Sequence, residues 1–576
     1  MDSLGHQLAT SVLVVGTGGS GLRAAIEAAE AGVAVIAVAK GEADEVPTPW
    51  TVGSSEEAPA PAGPGDTWER HVADTLLEGC LLADPRAAQV VARHAVQAIH
   101  DMRRYGTRLD RQGHGAAAEN QFENYTYRRA AFADERTGPQ VRRSLRERAR
   151  QLGIPVLSNV HVTRLLVDDG TVFGAYGFDL VDGSRYRVHA DAVILATGGH
   201  TRIWRHTTSR RGENTGDTFR LAVEAGARLH DPELVQFHPF GLLGPQNTAG
   251  MLVSEAVRGA GGALLNNLGE RFMTRYEAER MELSGRDRIT RASYSEIKEG
   301  RGTQAGGVWL DLSHLPPETV LTRLPHVHQS LLDEQLLDIT RDPIEVVPTA
   351  QYSMGGVRVR PEDHGTDIDG LYVVGEAAGG LHGANRLAGN ALIESLVYGR
   401  VAGRAAAEYS AGLTTHPRSP AAVRAAEADV NRLLTADGEE NVRALLRSVR
   451  HLMTERAGVV RDEAGLTAGL TRLDEIEART EQVGVHIDIG GFQDLAYAYD
   501  LRSAVLAARA TLECALERRE TRGCHHRSDH PGVDPDLEVN LVWSPTAGVR
   551  REPVPPVPTD IAELMDDLAA GAGPAE

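Results

Sequence analysis

The apolar and polar positions of this chain are ordered from its start. Residues 11–41, SVLVVGTGGSGLRAAIEAAEAGVAVIAVAKG, run through an apolar strand, a glycine-rich turn, an alanine-rich stretch with helical spacing and a second apolar strand ending at Lys40. Extended apolar runs on either side of a helix-period segment predict a βαβ unit. Two later runs return to the same theme. YRVHADAVILATGGHTRIW, 186–204, is a strand ending in Ala-Thr-Gly-Gly, and DIDGLYVVGEAAGG, 367–380, is a strand ending in Gly-Glu. Residues 421–480 and 498–520 have helical periodicity, frequent charges and few breakers, which predicts a helical bundle near the C-terminus. The final REPVPPVPTDIAELMDDLAAGAGPAE is proline-rich and then acidic and reads as a loosely held tail.

Composition narrows the function classes. At 576 residues with 41% hydrophobic content, the chain is long enough for more than one domain and for a large core. A formal net charge of -20 argues against nucleic acid, because phosphate binding rests on clustered Lys and Arg. The three cysteines, Cys80, Cys514 and Cys524, have no CxxC spacing, so neither a disulfide framework nor an iron–sulfur or zinc site is expected. No apolar run reaches the ~18 residues of a membrane span. The expected setting is cytoplasmic, with any membrane association made through a partner.

Two places carry candidate chemistry. Gly16, Gly18 and Gly21 match G-x-G-x-x-G between a strand and a helix, and Gly19 lies inside the same turn. Such glycines permit a tight turn, backbone approach to a pyrophosphate and close helix packing, so the turn points to a dinucleotide. Lys40 stands where an acid commonly takes the adenosine ribose. The second place is GLHGANRLAGNALIESLVYGRVAG, 380–403, where Arg386 and Asn390 precede and open an apolar helical stretch. An arginine beside a helix N-terminus makes a site for an anion, either a cofactor phosphate or a substrate carboxylate.

These stretches, with TGDTFRLAVEAGARLHDPELVQFHPFG (215–241), LVSEAVRGAGGALLNNLGERFM (252–273), SGRDRIT (284–290), VVPTAQYSMGGVRV (346–359) and LERRETRGCHHRSDHP (516–531), occur in an order that resembles the flavoprotein subunits of succinate dehydrogenase and fumarate reductase, a family that includes L-aspartate oxidase. The resemblance implies an α/β fold: a Rossmann-like FAD-binding domain in two pieces, 1–240 and 346–405, an inserted α+β capping domain at 241–345, a helical domain at 406–520 and a C-terminal segment and tail at 521–576. It implies FAD contacts at Gly16, Gly18, Gly19, Gly21, Lys40, Thr197, Gly198, Asp217, Glu376, Asn390 and Leu392. One substrate carboxylate would be held by His238 and Arg386, with Ser254 and Gln351 at the other. Arg286 would be the acid–base group, relayed by Glu255 and Arg258, whose three-residue spacing puts both on one helical face. His525 and His526 are read as structural.

The departures from the family matter as much. Gln351 stands where a second carboxylate-binding histidine is usual, Ser254 where a threonine is usual, and Phe240 adds bulk nearby. Glutamine can hydrogen-bond a carboxylate but carries no charge, which suggests a smaller, less charged or differently substituted acid. The stretch 45–68, EVPTPWTVGSSEEAPAPAGPGDTW, has no histidine. A histidyl–flavin bond is therefore not expected there, and FAD should be noncovalent. Three functions remain open on these grounds: a succinate/fumarate-type oxidoreductase passing electrons to a separate iron–sulfur subunit, an L-aspartate oxidase-like enzyme, and a catalytically impaired flavoprotein subunit.

Overall fold

The structure is a computed structural model that describes residues 5–41, 51–52, 58–59, 66–108, 130–131, 137–415, 418–487 and 490–569. β1 (Gly5–Val15), α1 (Gly19–Glu30) and β2 (Val35–Val38) form the βαβ unit, with Val12 to Val15 parallel to Val35 to Val38. Leu13 and Val15 enter one core while Val12 and Val14 enter another on the opposite face. Both faces of β1 are covered, which is why its apolar run does not alternate.

The strand Arg185–Leu195 lies beside β1, and Leu371–Val373 pairs parallel with its last residues. The chain thus leaves this sheet after Leu195 and rejoins it at Leu371. Two glycines make the packing possible. Gly16 has φ +108°, and a Cβ there would lie 2.2 Å from the Ala196 carbonyl oxygen; a Cβ on Gly21 would lie 2.0 Å from that of Gly16.

The excursion between builds a second sheet, in which Val235–Leu242 pairs antiparallel with Ile344–Ser353 and shorter strands flank them. Phe240, Leu242, Val253, Leu264, Leu310 and Val346 belong to a core of its own. The expected cap limits at 241 and 345 fall inside these two long strands. Of the segment 45–68, only the backbone of Thr51–Val52 and Ala58–Pro59 and residues 66–68 are described; Thr51–Val52 pairs parallel with Leu252–Val253. The remainder of this stretch lies outside the described residues.

The C-terminal helices Pro420–Leu434, Val442–Arg456, Glu463–Thr480 and Gln493–Glu517 do not form a separate body. Leu445, Leu473 and Leu501 share one core with Leu13 and Leu195 of the first sheet. Just past the helix Gln493–Glu517, the fully buried Arg518 meets Glu233 at 2.7 Å, Asp231 at 3.1 Å and Glu520 at 3.3 Å. His525 bonds Arg461 at 2.9 Å and the Arg518 carbonyl oxygen at 3.1 Å, a structural placement.

The loosely held tail is not what the described residues show. Gly548–Pro553 pairs with Val539–Ser544, and Thr559–Ala569 is a helix that packs on the helix Trp68–Glu78 and sends Ile561 and Met565 into the core that α1 shares. Its apolar residues, at helical spacing, find a partner in that core, which the preceding prolines concealed in the sequence; residues 570–576 lie outside the described ones. Among the described residues no helix is long and apolar enough to cross a membrane.

Candidate active site

A continuous cavity of about 1050 Å³ runs along the C-terminal ends of the first sheet's parallel strands and under the cap. That is the upper end of the ~300–1,000 Å³ common for ligand sites, and the edge of such a sheet is where α/β folds bind their ligands. Gly16, Gly18, Gly19, Lys40, Thr197, Gly198, Asp217, Glu376 and Leu392 line it, as do His238, Ser254, Glu255, Arg258, Arg286, Gln351 and Arg386. Two expected residues do not. Gly21 acts through the close approach to Gly16 described above. The Asn390 side chain turns away, its Oδ1 held by His71 at 2.9 Å and its Nδ2 donating to Thr75 at 3.0 Å. A buried amide needs its full set of partners, and the helix Trp68–Glu78 provides them, so the expected cofactor contact by this side chain is corrected to a helix-to-helix bond.

The cavity fits a dinucleotide on its own geometry. Gly18 ends the loop before α1, and a Cβ placed there meets nothing within 4 Å, so it would project into open space at the helix N-terminus. That cradle, with the N-terminal amides of α1 facing it, is what a pyrophosphate requires. The helix Asn390–Gly412 also opens onto the cavity through Ala388, Gly389, Ala391 and Leu392, after Gly389 at φ +77°. Glu376 lies beneath it, its Oε1 accepting from the Ser353 amide at 3.0 Å while Asn214 Nδ2 reaches both carboxylate oxygens at 3.3 Å. Burial pushes the Glu376 carboxyl up to about 7 despite these bonds.

Glu255 is the hub of a buried charged group. Arg286 grips it with Nε on Oε1 and Nη2 on Oε2, the latter at 2.9 Å. Arg258 Nη2 reaches Oε2 at 3.3 Å and donates through Nη1 to the Ser284 carbonyl oxygen at 2.5 Å. Burial alone would raise the Glu255 carboxyl, but Arg286 and then Arg258 outweigh it and hold it well below the usual carboxylate range. His238 belongs to this group too. Its Nδ1 accepts from the Phe240 amide at 3.1 Å, so Nε2 carries the proton and points to Glu255 Oε1 at 3.4 Å. Burial lowers the His238 pKa against the pull of Glu255.

Arg386 stands in a different setting, with Cζ 4.7 Å over the Tyr352 ring. Tyr352 donates to Glu394 at 2.8 Å, and His382 Nε2 meets the same carboxylate at 3.0 Å. The stacked guanidinium is therefore backed by a fixed ring. Sequence reasoning passed over Tyr352 and Glu394; Glu394 follows Asn390 by one helical turn, but its partner lies on a distant strand. Ser254 caps the short helix at 256–259 through the Ala256 amide at 3.2 Å. Gln351 faces the cavity, and among the described residues its buried Oε1 has no hydrogen-bond partner.

The FAD binding domain family matches residues 11–392, and the fumarate reductase flavoprotein C-terminal family matches residues 446–551. The chain belongs to the succinate dehydrogenase/fumarate reductase flavoprotein family. It is 34% identical to the 8-methylmenaquinol:fumarate reductase flavoprotein of Wolinella succinogenes over 90% of this chain and 86% of that one. It is 34% identical to the L-aspartate oxidase of Streptomyces coelicolor over 95% and 93%. The solved structure of Mycobacterium smegmatis Sdh1 in complex with UQ1 superposes with a TM-score of 0.88 at 34% identity, covering 99% of this chain and 98% of that one. The protein is thus a FAD oxidoreductase acting on CH–CH bonds.

Proposed function

We propose that the protein interconverts a small saturated carboxylic acid of the succinate type and its unsaturated counterpart, with Arg386 holding a substrate carboxylate and Arg286 transferring the proton. The observation that carries this reading is the pairing of Arg286 with Glu255 on the wall of the same cavity that Arg386 lines. FAD, when bound, supplies the acceptor or donor of the hydride.

The chain's own residues do the rest. Arg386 offers a rigid fork that fits a carboxylate in two hydrogen bonds, fixing which carbon faces each side. An arginine ordinarily stays charged, so an Arg286 that has given a proton to the substrate must be given another. Glu255, ionised at rest between its two guanidiniums, takes a proton from Arg258 and passes it to Arg286, and the reverse when the substrate loses one, while the Ser284 carbonyl oxygen holds Arg258 in place. His238 directs its N–H at Glu255 and so steadies the relay as well as bordering the substrate. At the other end Gln351 and Ser254 are uncharged, which favours an acid whose second end carries less charge than a second carboxylate, or a substituent that accepts and donates hydrogen bonds.

The family resemblance supports electrons leaving to a separate iron–sulfur subunit, and the spacing of the three cysteines is consistent with it. The alternative, oxidation of L-aspartate, is supported by the relative of that activity. Anaerobic mixing of the flavin-loaded protein with succinate, fumarate and L-aspartate, followed by flavin absorbance, separates them. Bleaching by succinate or recolouring by fumarate supports the first reading, bleaching by L-aspartate the second, and no response to any of the three refutes both.

A further inference from the structure

Glu394 is a buried ion that the proposed chemistry leaves unused. It sits in the helix Asn390–Gly412 and is 1% exposed. Burial alone would raise its carboxyl, but His382 and the Tyr352 hydroxyl outweigh it and hold it below the usual carboxylate range. A carboxylate only accepts, so His382 Nε2 at 3.0 Å and the Tyr352 hydroxyl at 2.8 Å both donate to it. Burial and then the Glu394 charge push the Tyr352 phenol well above its ordinary pKa, which keeps it a donor.

The contact with His382 ties the helix to the loop before it, and a structural role would stop there. The bond to Tyr352 leads on into the site. Tyr352 comes from the strand Ile344–Ser353, lines the cavity and carries Arg386 over its ring, with Cζ 4.7 Å from the centroid. The His382 ring stands edge-on to the same ring, at 5.3 Å and 82°. Glu394 therefore holds Tyr352 at its hydroxyl while His382 holds it at its ring. A guanidinium resting on a ring spends none of its N–H groups there, because all of them lie in its own plane. A phenol that donates to a carboxylate is also richer in negative charge over its face, which strengthens its hold on a cation.

We propose that Glu394 and Tyr352 are positioning residues for Arg386: the buried carboxylate anchors the tyrosine, and the tyrosine fixes the plane in which the guanidinium meets a substrate carboxylate. This rests on the reading of Arg386 as the carboxylate clamp.

Calorimetric titration of the full-length, FAD-loaded, oxidised protein with fumarate tests this, since oxidised flavin has no electrons to give and the acid only binds. Steady-state kinetics with succinate or L-aspartate, whichever reduces the flavin, run beside it. Tyr352→Phe keeps the ring and loses the anchor. It should weaken fumarate about tenfold and raise KM by a similar factor, with kcat within about threefold and flavin content unchanged, the pattern of an interaction made equally in the ground and transition states. Glu394→Gln keeps an acceptor for the hydroxyl and loses the charge, so its effect should be smaller but of the same kind; it also stands as the test if Tyr352→Phe does not fold. In the Tyr352→Phe background Glu394→Gln should cost fumarate affinity nothing more, because the route to Arg386 is already cut. Wild-type fumarate affinity and KM in the folded variants, additive losses in the double variant, or flavin lost in step with fumarate overturns the proposal alone. A wild-type protein that binds no fumarate and is reduced by neither acid refutes the clamp itself, and the proposal with it.

Discussion

Glu255 receives Arg286 through both carboxylate oxygens while holding Arg258 on one of them. One carboxylate between two guanidiniums can take a proton from one and give it to the other without leaving its place. Arg286→Lys keeps the charge but not the two-pronged grip. It should bind the acid nearly normally and lose turnover by about 100-fold or more, the scale of a lost general acid. Glu255→Gln should do the same. Normal kcat in either variant, in an assay of flavin reduction by the substrate, would remove the relay.

Arg386→Lys is expected to retain FAD, because the pyrophosphate cradle is at Gly18 and not at Arg386, and to lose substrate-driven flavin reduction. Truncation to alanine should cost about 3 kcal/mol or more in transition-state binding for a buried charge pair. A lysine variant that sheds flavin yet turns over normally when FAD is resupplied would make Arg386 a cofactor ligand.

FAD should be noncovalent, so acid precipitation should send the yellow colour into the supernatant. Gly18→Val should leave a folded chain without flavin, since its side chain would fill the open space before α1. Flavin on the pelleted chain would contradict the first expectation, and normal flavin content in the variant the second.

Burial pushes Glu376 up to about 7. In the unfolded chain a glutamate releases its proton near pH 4.3. Between those values the folded flavin-free chain keeps a proton that the unfolded chain has lost. Its stability should therefore fall as pH rises through this window, by up to about 1.4 kcal/mol per pH unit, and level off above about pH 7. Glu376→Gln should flatten that slope relative to wild type in urea unfolding series. Parallel slopes would mean that the carboxyl is ionised when folded.

Arg518 is surrounded by Asp231, Glu233 and Glu520, all buried. Arg518→Leu strands buried carboxylates and should cost about 3–5 kcal/mol. A melting temperature within a degree or two of wild type would show that the three acids are not held as charges.

Much of this was legible in the residues themselves. The glycine turn, the apolar runs at 11–15 and 190–195, and the three-residue spacing of Glu255 and Arg258 are local patterns whose geometry follows from the chain. Asn390 shows the limit. Its place at a helix mouth beside Arg386 suggested a ligand contact, but the partners that turn its side chain away, His71 and Thr75, lie some three hundred residues earlier. Tyr352 and Glu394 were passed over for the same reason, since only tertiary packing brings them together beside Arg386. The final helix at Thr559–Ala569 was hidden by the prolines before it, which say where a helix cannot run but not what the following segment will pack against.

The cap is carried on Val235–Leu242 and Ile344–Ser353, which run unbroken through its junction with the rest of the molecule. It has no slack tethers on which to swing. Their pairing shifts register between Gln236 and Phe237 and again between His238 and Gly241. A sheet yields first where its ladder is already interrupted, so any rocking of the cap must be taken up as twist around His238. The residue proposed to border the substrate is then also the pivot, and opening the cap and disturbing the contact of His238 with Glu255 become one movement.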